Sequence, residues 1–205
     1  MSRRGGSRFG CRSRLRCAVG ALSLLLACGD ARAEPQGTAG LTIGVAGAGL
    51  DRSYWDETDF HLGLRGDVLF GRERASDFGA GPYVEVLTHA FDDVQFGGGL
   101  SVLLPVIEYL PVVVSAGTYG RFSGEPYGTE PGIAAEVFWG SRSYNFHSAY
   151  GLSFGLLGEF RYGLGDSRET SIVIAAQLDL VGLSLPFLFL INAARGGSPE
   201  TAPVK

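Results

Sequence analysis

From Asp59 to Gly71 the chain alternates between two kinds of side chain. Phe60, Leu62, Leu64, Gly66, Val68 and Phe70 take the even positions, and His61, Gly63, Arg65, Asp67 and Leu69 the odd ones. A period of two puts successive residues on opposite faces of a β-strand and cannot be reconciled with the 3.6-residue period of a helix. Glycine points the same way. It supplies 32 of the 205 residues, about twice its usual share, a density costly inside helices at roughly 1 kcal/mol per residue.

The alternation recurs along the chain. Phe78, Ala80, Pro82, Val84 and Val86 oppose Asp77, Gly79, Gly81, Tyr83 and Glu85, and Val94, Phe96, Gly98, Leu100, Val102 and Leu104 oppose Gln95, Gly97, Gly99 and Ser101. Leu110, Val112, Val114 and Ala116 oppose Ser115, Gly117, Tyr119 and Arg121; Ile133, Ala135, Val137 and Trp139 oppose Glu136, Phe138, Gly140 and Arg142. Tyr150, Leu152, Phe154, Leu156, Phe160 and Tyr162 oppose Gly151, Ser153, Gly155, Glu159 and Arg161, and Ile172, Ile174, Ala176, Leu178 and Leu180 oppose Ser171, Gln177 and Asp179. With a weaker first member over residues 41–50, this predicts eight strands. The links, at residues 51–58, 72–75, 89–93, 105–109, 122–130, 143–149 and 164–170, are too short for parallel crossovers of a dozen residues, so neighbours pair antiparallel. An all-β, eight-stranded, up-and-down closed barrel follows, since closure removes two apolar edges otherwise open to aggregation.

A barrel of eight alternating strands can point its apolar face inward, as soluble ligand carriers of lipocalin type do, or outward at lipid. The second face decides. It alternates Gly and Ser with a few charges, and lysine, the usual solvating residue, is absent until Lys205. Small residues and paired ions suit a narrow lumen, not a watered surface. The expected lumen network sets Arg65, Arg121, Arg142 and Arg161 against Asp67, Glu85, Glu136, Glu159 and Asp179. Stranding a buried ion costs several kcal/mol, so the network predicts a closed plug and not a pore. Pairing about the 72–75 turn would set Arg65 opposite Tyr83 and diagonal to Glu85, with Gly63 facing Glu85. The expected lipid-facing set is Phe60, Leu62, Leu64, Phe70, Phe96, Trp139, Phe154 and Phe160. Its aromatics fall mostly near strand ends, where two interfacial girdles belong.

Residues 1–33 differ from the rest. Six arginines precede an apolar run from Cys17 to Cys28, and Ala31, Arg32 and Ala33 form a small-x-small exit before Glu34, the order of a secretory signal peptide. Leu25, Leu26, Ala27 and Cys28 also resemble a lipobox, which would place a lipid on Cys28. After removal of residues 1–33 the chain keeps ten basic and twenty acidic residues, which argues against a nucleic-acid partner. All three cysteines lie within the removed segment, so neither disulfides nor thiolate sites are expected in the exported chain. The expected organisation is a signal peptide at 1–33, a linker at 34–40, the barrel at 41–182, and an apolar segment with a tail at 183–205.

Over residues 41–182 this pattern resembles the small eight-stranded outer-membrane barrels, the OmpA transmembrane domain and OmpX-like proteins. The resemblance implies a cell outer-membrane location, insertion by the barrel-assembly machinery, contact with outer-membrane lipid and lipopolysaccharide, and both termini in the periplasm. One departure stands out. Such barrels usually end on an aromatic residue of the last strand, whereas residues 183–191 break the alternation and contain Pro186. Either Phe187 or Phe189 serves as that terminal signal, or the run packs as a short interfacial segment.

Other chemistry is thin. Tyr54, Trp55, Asp56 and Glu57 make an acidic, aromatic loop tip, but an acidic loop alone is ordinarily just solvated. His147 and Ser148 are adjacent, hence on opposite faces of any strand. His61 points into the lumen within reach of Asp59 or Ser171, without an evident third member of a catalytic set. Gly97, Gly98 and Gly99 lie inside a strand and not before a helix, so they form no phosphate loop. The expectation is a structural or interacting outer-membrane barrel, with no enzyme activity, metal or cofactor. The competing readings are a soluble periplasmic barrel carrying an apolar ligand and a lipid A-modifying barrel enzyme.

Overall fold

The computed structural model describes residues 34–51, 53–107, 109–124, 128–142 and 149–195. The expected signal peptide with Cys28, the His147 and Ser148 pair and residues 196–205 lie outside them. Eight strands follow in chain order: β1 (Gln36–Gly49), β2 (Glu57–Leu69), β3 (Gly79–His89), β4 (Asp93–Leu104), β5 (Val112–Ser123), β6 (Thr129–Arg142), β7 (Ser153–Gly163) and β8 (Thr170–Asp179), and then one helix, α1 (Leu180–Ala194).

Every strand pairs antiparallel with its neighbours in sequence, and β1 closes on β8 from Gly40↔Asp179 to Gly49↔Thr170. It is a closed, eight-stranded, up-and-down β-barrel. Residues 36–40, expected as linker, form the start of β1 and pair with residues 65–69 of β2. Gly37, Ala39 and Gly40 have little side chain to reveal a period in the sequence. The β2–β3 register also differs from expectation: Arg65 stands opposite Glu85, Asp67 opposite Tyr83 and Gly63 opposite Leu87. The link is longer than the 72–75 turn, with Phe70 bridging to Ala80. A slip of two residues preserves which side chains face inward, so the faces survive the change.

The ends of β1, β3, β5 and β7 and the starts of β2, β4, β6 and β8 share one rim, the loop rim; the other, the terminal rim, holds the start of β1 and the end of β8. The β3–β4 turn is the tightest. Asp92 N donates to His89 O at 3.0 Å, and its two central residues, Ala90 and Phe91, have φ of 49° and 65°. Left-handed residues at the centre of the turn match the right-handed twist of the flanking strands. The Asp93 carboxylate holds the turn by accepting from His89 N at 2.7 Å.

Burial follows parity along most of the wall, broken at the loop-rim end of β1, where residues 46–49 are all buried, and at the start of β8, where Thr170 and Ser171 both are. Phe60, Leu64, Phe70, Phe96, Trp139, Phe154 and Phe160 are exposed on the outer wall, with Leu62 on the same face and partly covered. Inside lie two small apolar clusters, Leu69 with Leu103, Val113 and Phe138, and Ala46 with Leu157, Val173 and Ala175. Between and around them the lumen is polar. A soluble ligand-carrying barrel of lipocalin type requires the opposite assignment of faces. The expected apolar run at residues 183–191 is helical, beginning at Leu180 and carrying Pro186 in its interior.

Candidate functional site: the charged lumen core

Odd positions of β2, β3, β4, β5 and β7 and even positions of β6 meet inside the barrel, and four arginines organise them. Arg65 donates from Nη1 to Glu136 at 2.5 Å and from Nη2 to Ser115 at 2.7 Å and Ser101 at 3.1 Å. Glu85 lies 3.6 Å from the same Nη1, and the guanidinium stacks over the Tyr83 ring at 4.0 Å. Arg142 grips Asp67 with both terminal nitrogens, at 2.6 and 2.9 Å; Thr38 donates to the same carboxylate at 2.9 Å. Such bidentate pairs are among the stronger hydrogen-bonded contacts available to a protein.

Arg161 is completely buried. It donates to Glu85 and to Gln95 Oε1 at 2.8 Å, its Nε lies 2.8 Å from Glu159, and it sits over the Tyr119 ring at 4.7 Å. Arg121 serves the loop rim, pairing with Glu169 and approaching Asp93 at 3.4 Å and Glu130 at 3.6 Å. Most of these contacts cross the lumen: β2 reaches β6, β7 reaches β3 and β4, and β6 reaches back to β1 and β2. Glu136 and Glu159 are directly opposite on neighbouring strands, and an oxygen of each lies within 4.8 Å of one from Glu85. Arg65 and Arg161 fill the space beside this carboxylate cluster. The cavity among them is about 10 Å³, room for about one water molecule.

Eight of the nine expected network residues, Arg65, Asp67, Glu85, Arg121, Glu136, Arg142, Glu159 and Arg161, are therefore brought into one connected core. Asp179 is not. Its carboxylate caps α1, with Oδ1 accepting from Val181 N at 2.9 Å and Gly182 N at 3.0 Å, while Oδ2 accepts from the Tyr150 hydroxyl at 3.0 Å and Ser153 N at 3.1 Å. As the last residue of β8 it faces inward, but the chain turns into a helix there and four local donors take its oxygens. Burial raises the Tyr150 phenol above its ordinary pKa, and its hydrogen bond to Asp179 adds to the rise.

Asp93, Glu130 and Glu169 enter the core unforeseen, because polar residues at those positions look like parts of the links. Their parity is the available signal, since Glu130 is in step with Glu136, Glu169 with Ser171, and Asp93 with Gln95. His61 bonds Thr42 at 3.0 Å and lies beside His89, with ring centres 5.5 Å apart and the rings tilted; its partner is neither Asp59 nor Ser171. At the loop tip, Ser53 donates to Asp56 at 2.5 Å and Trp55 to Thr58 at 2.7 Å.

No protein-family model matches the chain, and no curated protein matches it either. Solved structures do show a likeness in fold. One is a de novo designed transmembrane β-barrel, 14% identical with a TM-score of 0.39, over 71% of this chain and 97% of that one. Another is Ail, the attachment invasion locus protein of Yersinia pestis, in complex with the heparin analogue sucrose octasulfate; it is 12% identical with a TM-score of 0.38, over 71% of this chain and 99% of that one. The backbone structure of Yersinia pestis Ail in a phospholipid bilayer nanodisc is 11% identical with a TM-score of 0.37, over 71% and 100%. The barrel class of the present chain rests on its own strand pairing.

Proposed function

We propose that this chain is an outer-membrane barrel with a structural or interacting role, whose lumen is closed by arginine–carboxylate pairs. One observation carries the reading: the outer wall presents large apolar side chains while fully buried guanidiniums and carboxylates fill the interior. Water on that wall would face Phe60, Leu64, Phe96, Leu156 and Ile174, each about half exposed, a contiguous apolar surface far beyond what a soluble monomer shows.

The dimensions agree with a bilayer. Phe60, near the start of β2, and Phe70, just past its end, are ten residues apart; at about 3.3 Å per residue they are separated by roughly 33 Å along the strand, or about 25 Å along the axis of a barrel with strands tilted near 40°, the height of a typical apolar band. Aromatics gather at both levels, with Phe60 against Phe91 and Phe96 against Phe122 at the loop rim and Phe70, Phe78, Trp139 and Phe154 toward the terminal rim. The associated expectations, insertion by the barrel-assembly machinery and contact with lipopolysaccharide at the loop rim, belong to the same proposal, as does the absence of catalysis.

Cell fractionation with a gel comparing unheated and boiled samples tests the location: outer-membrane recovery with faster migration of the unheated form is expected, and a detergent-free soluble barrel would overturn it. Planar-bilayer recordings test the closed lumen. Silence is expected, and steady ionic conductance would refute it.

A further inference from the structure

The C-terminal helix has no polar face. Of the fifteen residues of α1, only Ser184 and Asn192 carry polar side chains and none is charged. The Ser184 hydroxyl donates back to Val181 O at 2.8 Å, the arrangement by which a helix satisfies a hydroxyl without water. None of its side chains is buried. Leu185, Phe187, Leu188, Phe189, Leu190 and Ile191 are exposed, and at 100° per residue they point to every side of the helix. A docking protein covers one face and leaves the others wet. Hydrocarbon covers all of them.

We infer that α1 lies embedded in the bilayer leaflet at the terminal rim, as a lipid-bound collar continuous with the apolar wall of the barrel. This rests on the membrane reading above. The helix starts at the level of an aromatic belt, because Asp179 clamps its first turn while holding the Tyr150 hydroxyl and Ser153 N, and Gly182 sits against the Phe154 ring. Its fifteen residues span about 22 Å at 1.5 Å each, short of the roughly 30 Å hydrocarbon core, and among the described residues no helix is long and apolar enough to cross a membrane. It therefore enters one leaflet without spanning. Pro186 lacks an N–H and so frees the Gly182 carbonyl one turn back, close to the capped end where headgroup water is within reach. An amphipathic interfacial helix floats with its charged side toward water; this one has no such side and sinks among the acyl chains.

Three single-tryptophan chains separate this inference from the reading beneath it. In Trp55→Phe, Trp139 alone reports the barrel wall. In Trp55→Phe/Trp139→Phe/Leu188→Trp, the helix alone reports, with Phe187→Trp in place of Leu188→Trp as a second probe; both positions are exposed, so neither disturbs packing. Each chain is folded into phosphatidylcholine vesicles with and without dibrominated acyl chains. The expected result is loss of emission at the helix probe equal to the loss at Trp139, with blue-shifted emission. Quenching of Trp139 with red-shifted, acrylamide-accessible helix emission puts α1 in water and overturns the inference alone. A helix probe shielded from both bromine and acrylamide means a protein cover, such as a second copy, and also overturns it. An unquenched Trp139 overturns the membrane reading and the inference together.

Discussion

Replacing Arg161 by methionine tests the logic of the closed lumen most directly. The methionine keeps much of the side-chain volume, so the loss is electrostatic. Wild-type Arg161 serves Glu85, Glu159 and Gln95 at once and is wholly buried. Losing two charge-assisted hydrogen bonds from the guanidinium, to Glu85 and Gln95, at about 1.5–3 kcal/mol each, together with the ion pair to Glu159, offset by added apolar burial, gives a net cost of about 3–5 kcal/mol, the range for breaking a buried pair from one side. The same reasoning fixes a compensation. Glu159 is the carboxylate left with least company, because Glu85 retains Arg65 at 3.6 Å. Adding Glu159→Gln to Arg161→Met should therefore recover about 1–3 kcal/mol, although Glu159→Gln alone is destabilising. Urea unfolding of the vesicle-embedded barrel, followed by tryptophan emission and by the mobility of unheated samples, measures all four members of the cycle. An Arg161→Met barrel within about 1 kcal/mol of wild type, or strict additivity in the double variant, would refute the idea that these ions are held dry.

Three further outcomes are expected from other parts of the barrel. A methyl on Gly99 would overlap the Ala116 carbonyl and the Gly117 backbone, whereas one on Gly158 meets nothing; Gly99→Ala should cost about 1–3 kcal/mol and Gly158→Ala should be neutral or stabilising by up to about 1 kcal/mol, read from the same urea midpoints. Asp179→Ala removes a helix cap and leaves the Tyr150 hydroxyl and Ser153 N without their acceptor, a loss of about 2–3 kcal/mol, and should expose the β8–α1 junction to protease in a time course on the folded protein. Ala90→Asn places a residue tolerant of left-handed backbone at φ 49°, and should raise the urea midpoint by an amount worth up to about 1 kcal/mol.

The parity of the sequence is enough to read the strand count, the pairing sense and the inward set, because side chains such as Phe60 and Arg65 differ enough to reveal a period of two. Register is less visible. Arg65 against Tyr83 and Arg65 against Glu85 present identical faces, and only the length of the 70–78 link distinguishes them. The start of β1 is hidden by small residues, and Asp93, Glu130 and Glu169 are hidden by their position at strand ends, where polar residues resemble loop. Asp179 obeys the period and still stays out of the ion network. A helix begins at the next residue, and its open N–H groups claim a nearby carboxylate more firmly than distant arginines do.

The guanidinium contacts have a further consequence for how such a barrel forms. Arg65 on β2 finds Glu136 on β6, and Arg161 on β7 finds Glu85 on β3, partners four strands apart that no hairpin and no half-rolled sheet can bring together. Until the first and last strands meet, these ions keep their hydration shells. Dehydration and bracing thus arrive together at the final seam, giving a cylinder that is either shut and rigid or open and wet, with no stable halfway shape.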